Sequence, residues 1–219
     1  MPTELLSIEA ARAAVLSSCA PLPAEPVALA DAAGRVLAAE LRAAADVPHF
    51  DNSAMDGFAV RSDASSGPLL VVDESRAGAP ASRSLAPGEA IRISTGAALP
   101  DGSDAVVPLE QADEQDGRVT LAQPPAPGRH VRRAGEDLRA GAVVLRAGAR
   151  LDAAALAVAA SAGAAELACA RRPRVAVICT GDELRPPGSP LGPGEIHNSN
   201  GPMLAALAAR EGAAVVAVA

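Results

Sequence analysis

Arg174-Val-Ala-Val-Ile-Cys-Thr180, followed at once by Gly181-Asp182-Glu183-Leu184, is the stretch on which the fold class turns. Five consecutive apolar residues without polar alternation read as a strand buried on both faces, as in a parallel sheet. A polar loop rich in Gly and Pro runs from Gly181 to Asn200. A helix is then expected from about Gly201 to Arg210, stopped by Gly212, and Ala214-Val-Val-Ala-Val-Ala219 reads as a second apolar strand. The whole is a β-loop-α-β unit, the opening of a doubly wound α/β domain. Two parallel strands and one helix leave a sheet face and both edges uncovered, so the α/β domain is expected to be truncated at Ala219.

Working back from that unit, the texture changes twice. Between about Val47 and Leu145, short β-type runs at 57–60, 69–72, 90–93, 105–108 and 118–121 alternate with Gly, Pro, Asp and Ser turns, which predicts a compact, mostly β module. On either side the texture is helical. Ser7 is placed to cap a helix carrying Ile8, Ala11 and Val15 on one face, and Asp152 to cap another that ends at Gly163. Between them, Pro21 to Pro26 reads as a linker and Val27 to Gly34 as a short turn-helix. The expected organisation is a discontinuous helical domain (1–45 plus 146–172), an inserted β domain (46–145) and the start of an α/β domain (173–219).

Composition narrows the function classes. The net charge is −7 and the basic residues occur in pairs, Arg132-Arg133 and Arg171-Arg172, which disfavours a nucleic-acid partner bound through its phosphates. Cys19, Cys169 and Cys179 show no metal-ligand spacing and read as small buried hydrophobes in a reducing compartment. Residues 1–4 lack the basic start of a signal peptide. The longest apolar stretch, from Ala153 to Ala165, falls short of the ~20 residues of a membrane span, so a soluble, cytoplasmic protein is expected. The Walker, dinucleotide-binding, zincin and nucleophile-elbow patterns are missing from the chain.

Four polar clusters remain. Asp51-Asn-Ser-Ala-Met-Asp56-Gly57 is either a ligand-facing loop or an Asx-turn that caps a hairpin. Ser94-Thr95-Gly96 can offer hydroxyls and N–H groups to an anion, or be a plain turn. Arg132-Arg133-Ala-Gly-Glu136-Asp137 fits a phosphate and metal site or a solvated ion-pair cluster. Thr180-Gly181-Asp182-Glu183 follows the first α/β strand, where ligands of such folds bind, and two adjacent carboxylates there suit Mg²⁺. Ile196-His197-Asn198-Ser199-Asn200 leads into the helix, whose N-terminus should face the same crevice.

Taken together and in order, these clusters resemble a known family. Asp46-Val-Pro-His-Phe-Asp-Asn-Ser-Ala-Met-Asp-Gly-Phe-Ala-Val60 is similar to the hallmark of the molybdopterin molybdenumtransferases, the MoeA and gephyrin E-domain type. Ile93-Ser-Thr-Gly-Ala-Ala-Leu-Pro100, Arg132-Arg-Ala-Gly-Glu-Asp137 and Thr180-Gly-Asp-Glu-Leu184 resemble its next three motifs.

The resemblance implies an elongated helical domain interrupted by a β domain, then an α/β molybdopterin-binding domain and a C-terminal barrel-like domain. It also implies a homodimer acting on small-molecule substrates: molybdate and adenylylated molybdopterin, with a divalent cation such as Mg²⁺ and release of AMP. Carried over by motif, the catalytic candidates are Asp56, Thr95, Asp137 and Glu183. The cofactor-binding candidates are Ser53, Ser94, Thr180, Gly181 and Asn200, and the metal ligands Asp182 and Glu183. Ala134 stands where the family often has a third arginine, and His197-Asn198 replaces an aromatic-acid pair. The family's later loops lie beyond residue 219, so this part alone is expected to be inactive. The alternative is a non-catalytic scaffold of the same architecture.

Overall fold

The computed structural model describes residues 6–63 and 67–218; the sequence readings at residues 1–4 and at Ala219 lie outside them. In chain order the elements are α1 (Ile8–Ser17), β1 (Ala24–Ala28), β2 (Leu41–Arg42), β3 (Asn52–Ser53), β4 (Gly57–Val60), β5 (Leu69–Ser75) and β6 (Glu89–Ile93). Next come β7 (Ala105–Pro108), β8 (Ala112–Gln115), β9 (Arg118–Leu121), β10 (Val131–Arg132), β11 (Val143–Leu145) and α2 (Ala153–Ser161). The chain continues with β12 (Glu166–Ala170), β13 (Arg174–Val177), β14 (Leu184–Arg185), β15 (Ile196–His197), α3 (Asn200–Arg210) and β16 (Ala214–Val218). The protein is thus mixed α/β, mostly sheet with few helices. It divides into two compact units, one of residues 1–41, 145–160 and 164–219, the other of 42–144 and 161–163.

The second unit is built on a six-stranded sheet in the order β7-β4-β6-β5-β9-β8. Strand β4 lies between β7 and β6, and all four of its residues are buried. Its period of two sends Phe58 and Val60 to one face, with Leu69, Ala90, Val107 and Val119, and Ala59 to the other, with Ile91, Ile93 and Val106. Both faces carry a core, which is why this run is apolar throughout. Arg92 lies over the Phe58 ring, 5.4 Å from its centroid, and pairs with Glu114. Gly57 is required by the close approach of β7, because a Cβ there would come within 2.0 Å of the Val107 carbonyl oxygen.

In the first unit, Ser7 accepts a hydrogen bond from the Ala10 N–H and starts α1. None of the α1 side chains is buried; Ile8 is 84% exposed and Val15 64%. Residues 24–28, which include part of the expected linker, form a strand instead. β1 pairs antiparallel with β12, placing Pro26 opposite Ala168, and proline is tolerated because a two-stranded sheet consists of edges. The helical expectation for 1–45 is also too generous. Besides α1 the described residues there hold one 3-10 turn, Leu29–Asp31, and Leu37 trades backbone bonds with Ala149 and Gly148. Alanine favours helix, but extended backbone bonding to neighbouring segments prevails over propensity. A core of Val27, Ala32, Leu37, Leu151, Ala159, Leu167 and Cys169 closes this part. Asp152 caps α2 through the Ala155 N–H.

Downstream in the same unit, β13 and β16 pair in parallel and α3 packs on both. Strand β13 is shorter than the expected seven residues, and Ile178 beyond it is 72% exposed, not buried. Val216 and Val218 are also exposed. The expected burial is unmet because α3 is the described element that packs on this pair, whereas a parallel strand is buried by cover on both faces. Of the three cysteines Cys169 alone is buried, Cys179 is half-buried and Cys19 is exposed. No helix among the described residues is long and apolar enough to cross a membrane.

Glycine substitutions test the central strand. Gly57→Ala should lower unfolding free energy by about 1–3 kcal/mol, the usual cost of overpacking. Gly67→Ala, with nothing within 4 Å of the added methyl, should stay within about 0.5 kcal/mol of the parent. Urea denaturation of both variants measures the difference, and equal midpoints would contradict the packing described.

Candidate functional site

The site in the second unit grows from a short ladder. Strand β3 pairs antiparallel with β10, Asn52 opposite Arg132 and Ser53 opposite Val131. On its other side Asn52 bridges to Ala98, the Ser53 N–H donates to Ala97 O at 3.0 Å, and the Gly96 N–H donates to Ser53 O at 2.8 Å. Segment 51–54 therefore runs between the 94–100 loop and the 130–134 segment, so three of the four clusters meet along one strand. Asn52 and Ser53 are buried polar residues that hold this ladder. The Ser53 hydroxyl donates to Met55 O and accepts from the Met55 N–H. At 1% exposure Ser53 fastens the loop.

Three residues on, Asp56 is exposed at the mouth of β4. Its Oδ1 accepts the Thr95 N–H at 2.6 Å and the Thr95 hydroxyl at 2.9 Å. Those two bonds, the backbone one foremost, hold the Asp56 carboxyl below its ordinary range, so it is ionised at neutral pH. Gly96, with φ 79°, supplies the left-handed turn that presents Thr95. Ser94 is half-buried and anchored by its N–H to Ser75 O at 3.0 Å.

Asp137 lies at the end of the third cluster. Arg132 donates to Asp137 Oδ2 at 2.6 Å and to Glu136 Oε1 at 2.7 Å. Arg133 donates to Asp51 Oδ2 at 2.6 Å, and the Ala134 N–H to Asp51 Oδ1 at 2.8 Å. The Ala134 amide above all, together with Arg133, lowers the Asp51 pKa. The two arginines are thus engaged by carboxylates, the ion-pair alternative that the sequence left open. Asp51 went unassigned although it stands in the quoted motif. Its signal, an acidic residue one position before a buried polar pair, has the form of an ordinary turn.

In the first unit, Thr180, Gly181, Asp182 and Glu183 are all exposed after β13. The Glu183 carboxylate sits over Gly181, where an added Cβ would be 2.6 Å from Oε2. The loop is fixed by the parallel pair β14 and β15, by Ile196 N–H to Glu183 O at 2.8 Å, and by Arg185, which pairs with Glu195 and donates to the Asp182 and Leu184 carbonyls. Beside it a crevice of about 390 Å³ is lined by Cys179, Gly181, Arg185, Asn198, Pro202 and Val218, at the carboxyl ends of both strands as the fold class requires. His197 donates through Nε2 to Ser189 O at 2.9 Å; as that oxygen is a carbonyl, the nitrogen carries the proton. Asn198, just ahead of α3, accepts the Gly201 N–H at 2.9 Å through Oδ1. Asn200, the first residue of α3, is exposed.

The comparisons agree with one another. A sequence model of the MoeA N-terminal region (domain I and II) matches residues 6–163. Molybdopterin molybdenumtransferase 2 of Mycobacterium tuberculosis is 44% identical over 214 residues, covering 94% of this chain and 52% of that protein. Molybdopterin molybdenumtransferase of Haemophilus influenzae is 42% identical over 200 residues, covering 90% and 50%. The crystal structure of a molybdopterin biosynthesis MoeA protein from Pyrococcus horikosii superposes with a TM-score of 0.85 at 33% identity, covering 98% of this chain and 56% of that one. The chain spans about half the length of the curated relatives it matches. With a family match over more than half its residues, and with the hallmark segments joined on one ladder, the chain belongs to the MoeA family.

Proposed function

We propose that this chain supplies the N-terminal part of an enzyme of molybdenum cofactor biosynthesis, which inserts molybdenum from molybdate into adenylylated molybdopterin and releases AMP. The observation that carries the reading is the exposed Asp56–Thr95 pair. Ionised Asp56 is a weak base, since a lowered pKa reduces proton affinity. Its role is to orient: one oxygen holds the Thr95 loop, and Oδ2 accepts a hydrogen bond from a hydroxyl or water of the reacting group. While the Thr95 hydroxyl gives its proton to Asp56, its oxygen is an acceptor, suited to an N–H of the pterin. It becomes a donor to phosphate on turning away from Asp56, whose bond to the Thr95 N–H then keeps the loop in place.

Residues 173–219 are read as the beginning of the molybdopterin-binding α/β domain, with Thr180, Gly181 and Asn200 beside the substrate. Asp182 and Glu183 would hold Mg²⁺ or another divalent cation. Among the described residues no group of three or more His, Cys, Asp or Glu side chains could hold a metal ion. Two exposed carboxylates nevertheless fit Mg²⁺, which takes one or two of them and completes its shell with water and substrate phosphate oxygens. Bound there, the ion would offset charge developing on the departing AMP phosphate. Asp137, with its Arg132 partner, is read as a further site carboxylate. A cytoplasmic homodimer completes the proposal, supported by the exposed apolar residues of α1.

Three measurements test this. In the full-length polypeptide, Asp56→Ala and Glu183→Ala should each lower AMP release by about 100-fold or more, the scale of losing a group that stabilises the transition state; rates close to wild type would sink the assignment. By NMR titration, the Asp56 carboxyl should protonate below the usual aspartate range, and Thr95→Val should move it upward by removing one of its two donors; an unmoved titration would contradict the pairing. Light scattering should report twice the chain mass for the full-length polypeptide, and Val15→Asp in α1 should shift it toward the single-chain mass.

A further inference from the structure

Asp51 occupies an unusual place in the second unit. Its carboxylate grips the 133–134 turn from both ends of the functional group: Oδ2 takes Arg133 and Oδ1 takes the Ala134 N–H. Its own backbone carbonyl accepts the Leu99 N–H at 2.9 Å, at the far side of the strand. That main-chain bond is made whatever the side chain at 51; the Asp51 carboxylate ties the strand to the turn that leads into Asp137. The side chain is 35% exposed, so it stands close to solvent yet is fully engaged.

Other bonds show how finely that turn is set. The Gly135 N–H donates to Pro48 O at 2.9 Å, and the Asp137 and Leu138 N–H groups both donate to Val47 O at 3.0 Å. Gly135 is buried with φ 72°, and a Cβ on it would lie 3.1 Å from the Asp46 carboxyl carbon. Glu136 accepts the Arg133 N–H at 2.9 Å as well as Arg132. The Val47 and Pro48 carbonyls hold the inner side of the turn. Asp51 is the acidic side chain that holds Arg133 and the Ala134 N–H on its outer side. Removing that carboxylate frees the corner next to Arg132, the residue that pairs with Asp137.

We propose that Asp51 is a positioning residue for the reaction, a clasp whose carboxylate holds the 133–134 turn against the 51–54 strand and so fixes the Arg132–Asp137 pair. The proposal rests on the functional reading above. The influence of Asp51 passes through that turn to Arg132 and Asp137. Because mispositioning of a reacting group is felt in the chemical step and not in binding, the effect should fall on kcat.

The test uses the full-length polypeptide with Asp51→Ala and Asp51→Asn. Asp51→Ala, which loses both bonds, should reduce kcat for AMP release by about tenfold, with KM within about twofold of wild type. Asp51→Asn keeps an oxygen for the Ala134 N–H but loses the ion pair, so its kcat should fall by about threefold. Hydrogen exchange read alongside should speed up at Ala134 in Asp51→Ala, and far less in Asp51→Asn. Wild-type kcat in Asp51→Ala overturns the proposal, as does a loss that merely follows the unfolded fraction. Should Asp51→Ala fail to fold, wild-type kcat in Asp51→Asn overturns it. A wild-type protein that releases no AMP overturns the functional reading instead; exchange at Ala134 that is unchanged by Asp51→Ala then still overturns the clasp.

Discussion

The interaction on which the second unit's chemistry depends is the backbone ladder through Asn52 and Ser53. A strand of two residues would be worth little in isolation, since it fixes backbone at a conformational cost of about 1–2 kcal/mol per residue. Here it is bonded on both sides, to 131–132 and to 96–98. Each polar group it buries has a partner, and no buried side-chain nitrogen or oxygen among the described residues lacks one. The ladder converts three distant sequence segments into one rigid edge, and Asp56, Thr95 and Arg132 inherit their positions from it. The six-stranded sheet acts as a platform: β4, buried on both faces, anchors the chain immediately after Asp56.

Much of this architecture was legible in the residues. The β runs at 57–60, 105–108 and 118–121 have the bounds that apolar runs between turn formers predict. Ser7 and Asp152 act as the caps that their chemistry suggests. What misled was alanine. It fills 1–45 and 146–172 and reads as helix, yet residues 24–28 and 35–38 are extended because their N–H and C=O groups find partners in 148–151 and 165–170. Such pairing joins residues more than a hundred positions apart and leaves no local periodicity. The burial of 174–178 was overread for a related reason: an apolar run reports what a strand can bury, not what covers it.

The site divides along the same line. The motifs named Asp56 and Thr95, and the two are bonded directly to each other. The individual roles were less visible. Ser53 carries the same hydroxyl as Ser94, but it turns into the loop and bonds Met55. Asp51 and Asp56 are both aspartates of one motif, and the partner each one finds separates them: Arg133 and the Ala134 N–H for the first, Thr95 for the second. Asn198 and His197, which had no assignable part, fasten α3 and the 189 loop. Side-chain identity fixes which bonds are available; the backbone decides which are made.

Phe58, packed in the sheet beneath Arg92, is one of two phenylalanines in a chain with neither tryptophan nor tyrosine. The arrangement has an optical consequence. Phenylalanine barely absorbs in the near ultraviolet, so these 219 residues are almost transparent where pterin rings absorb and emit. A pterin ligand at the 180–184 crevice would be seen directly, against a dark background, through its own absorbance and fluorescence.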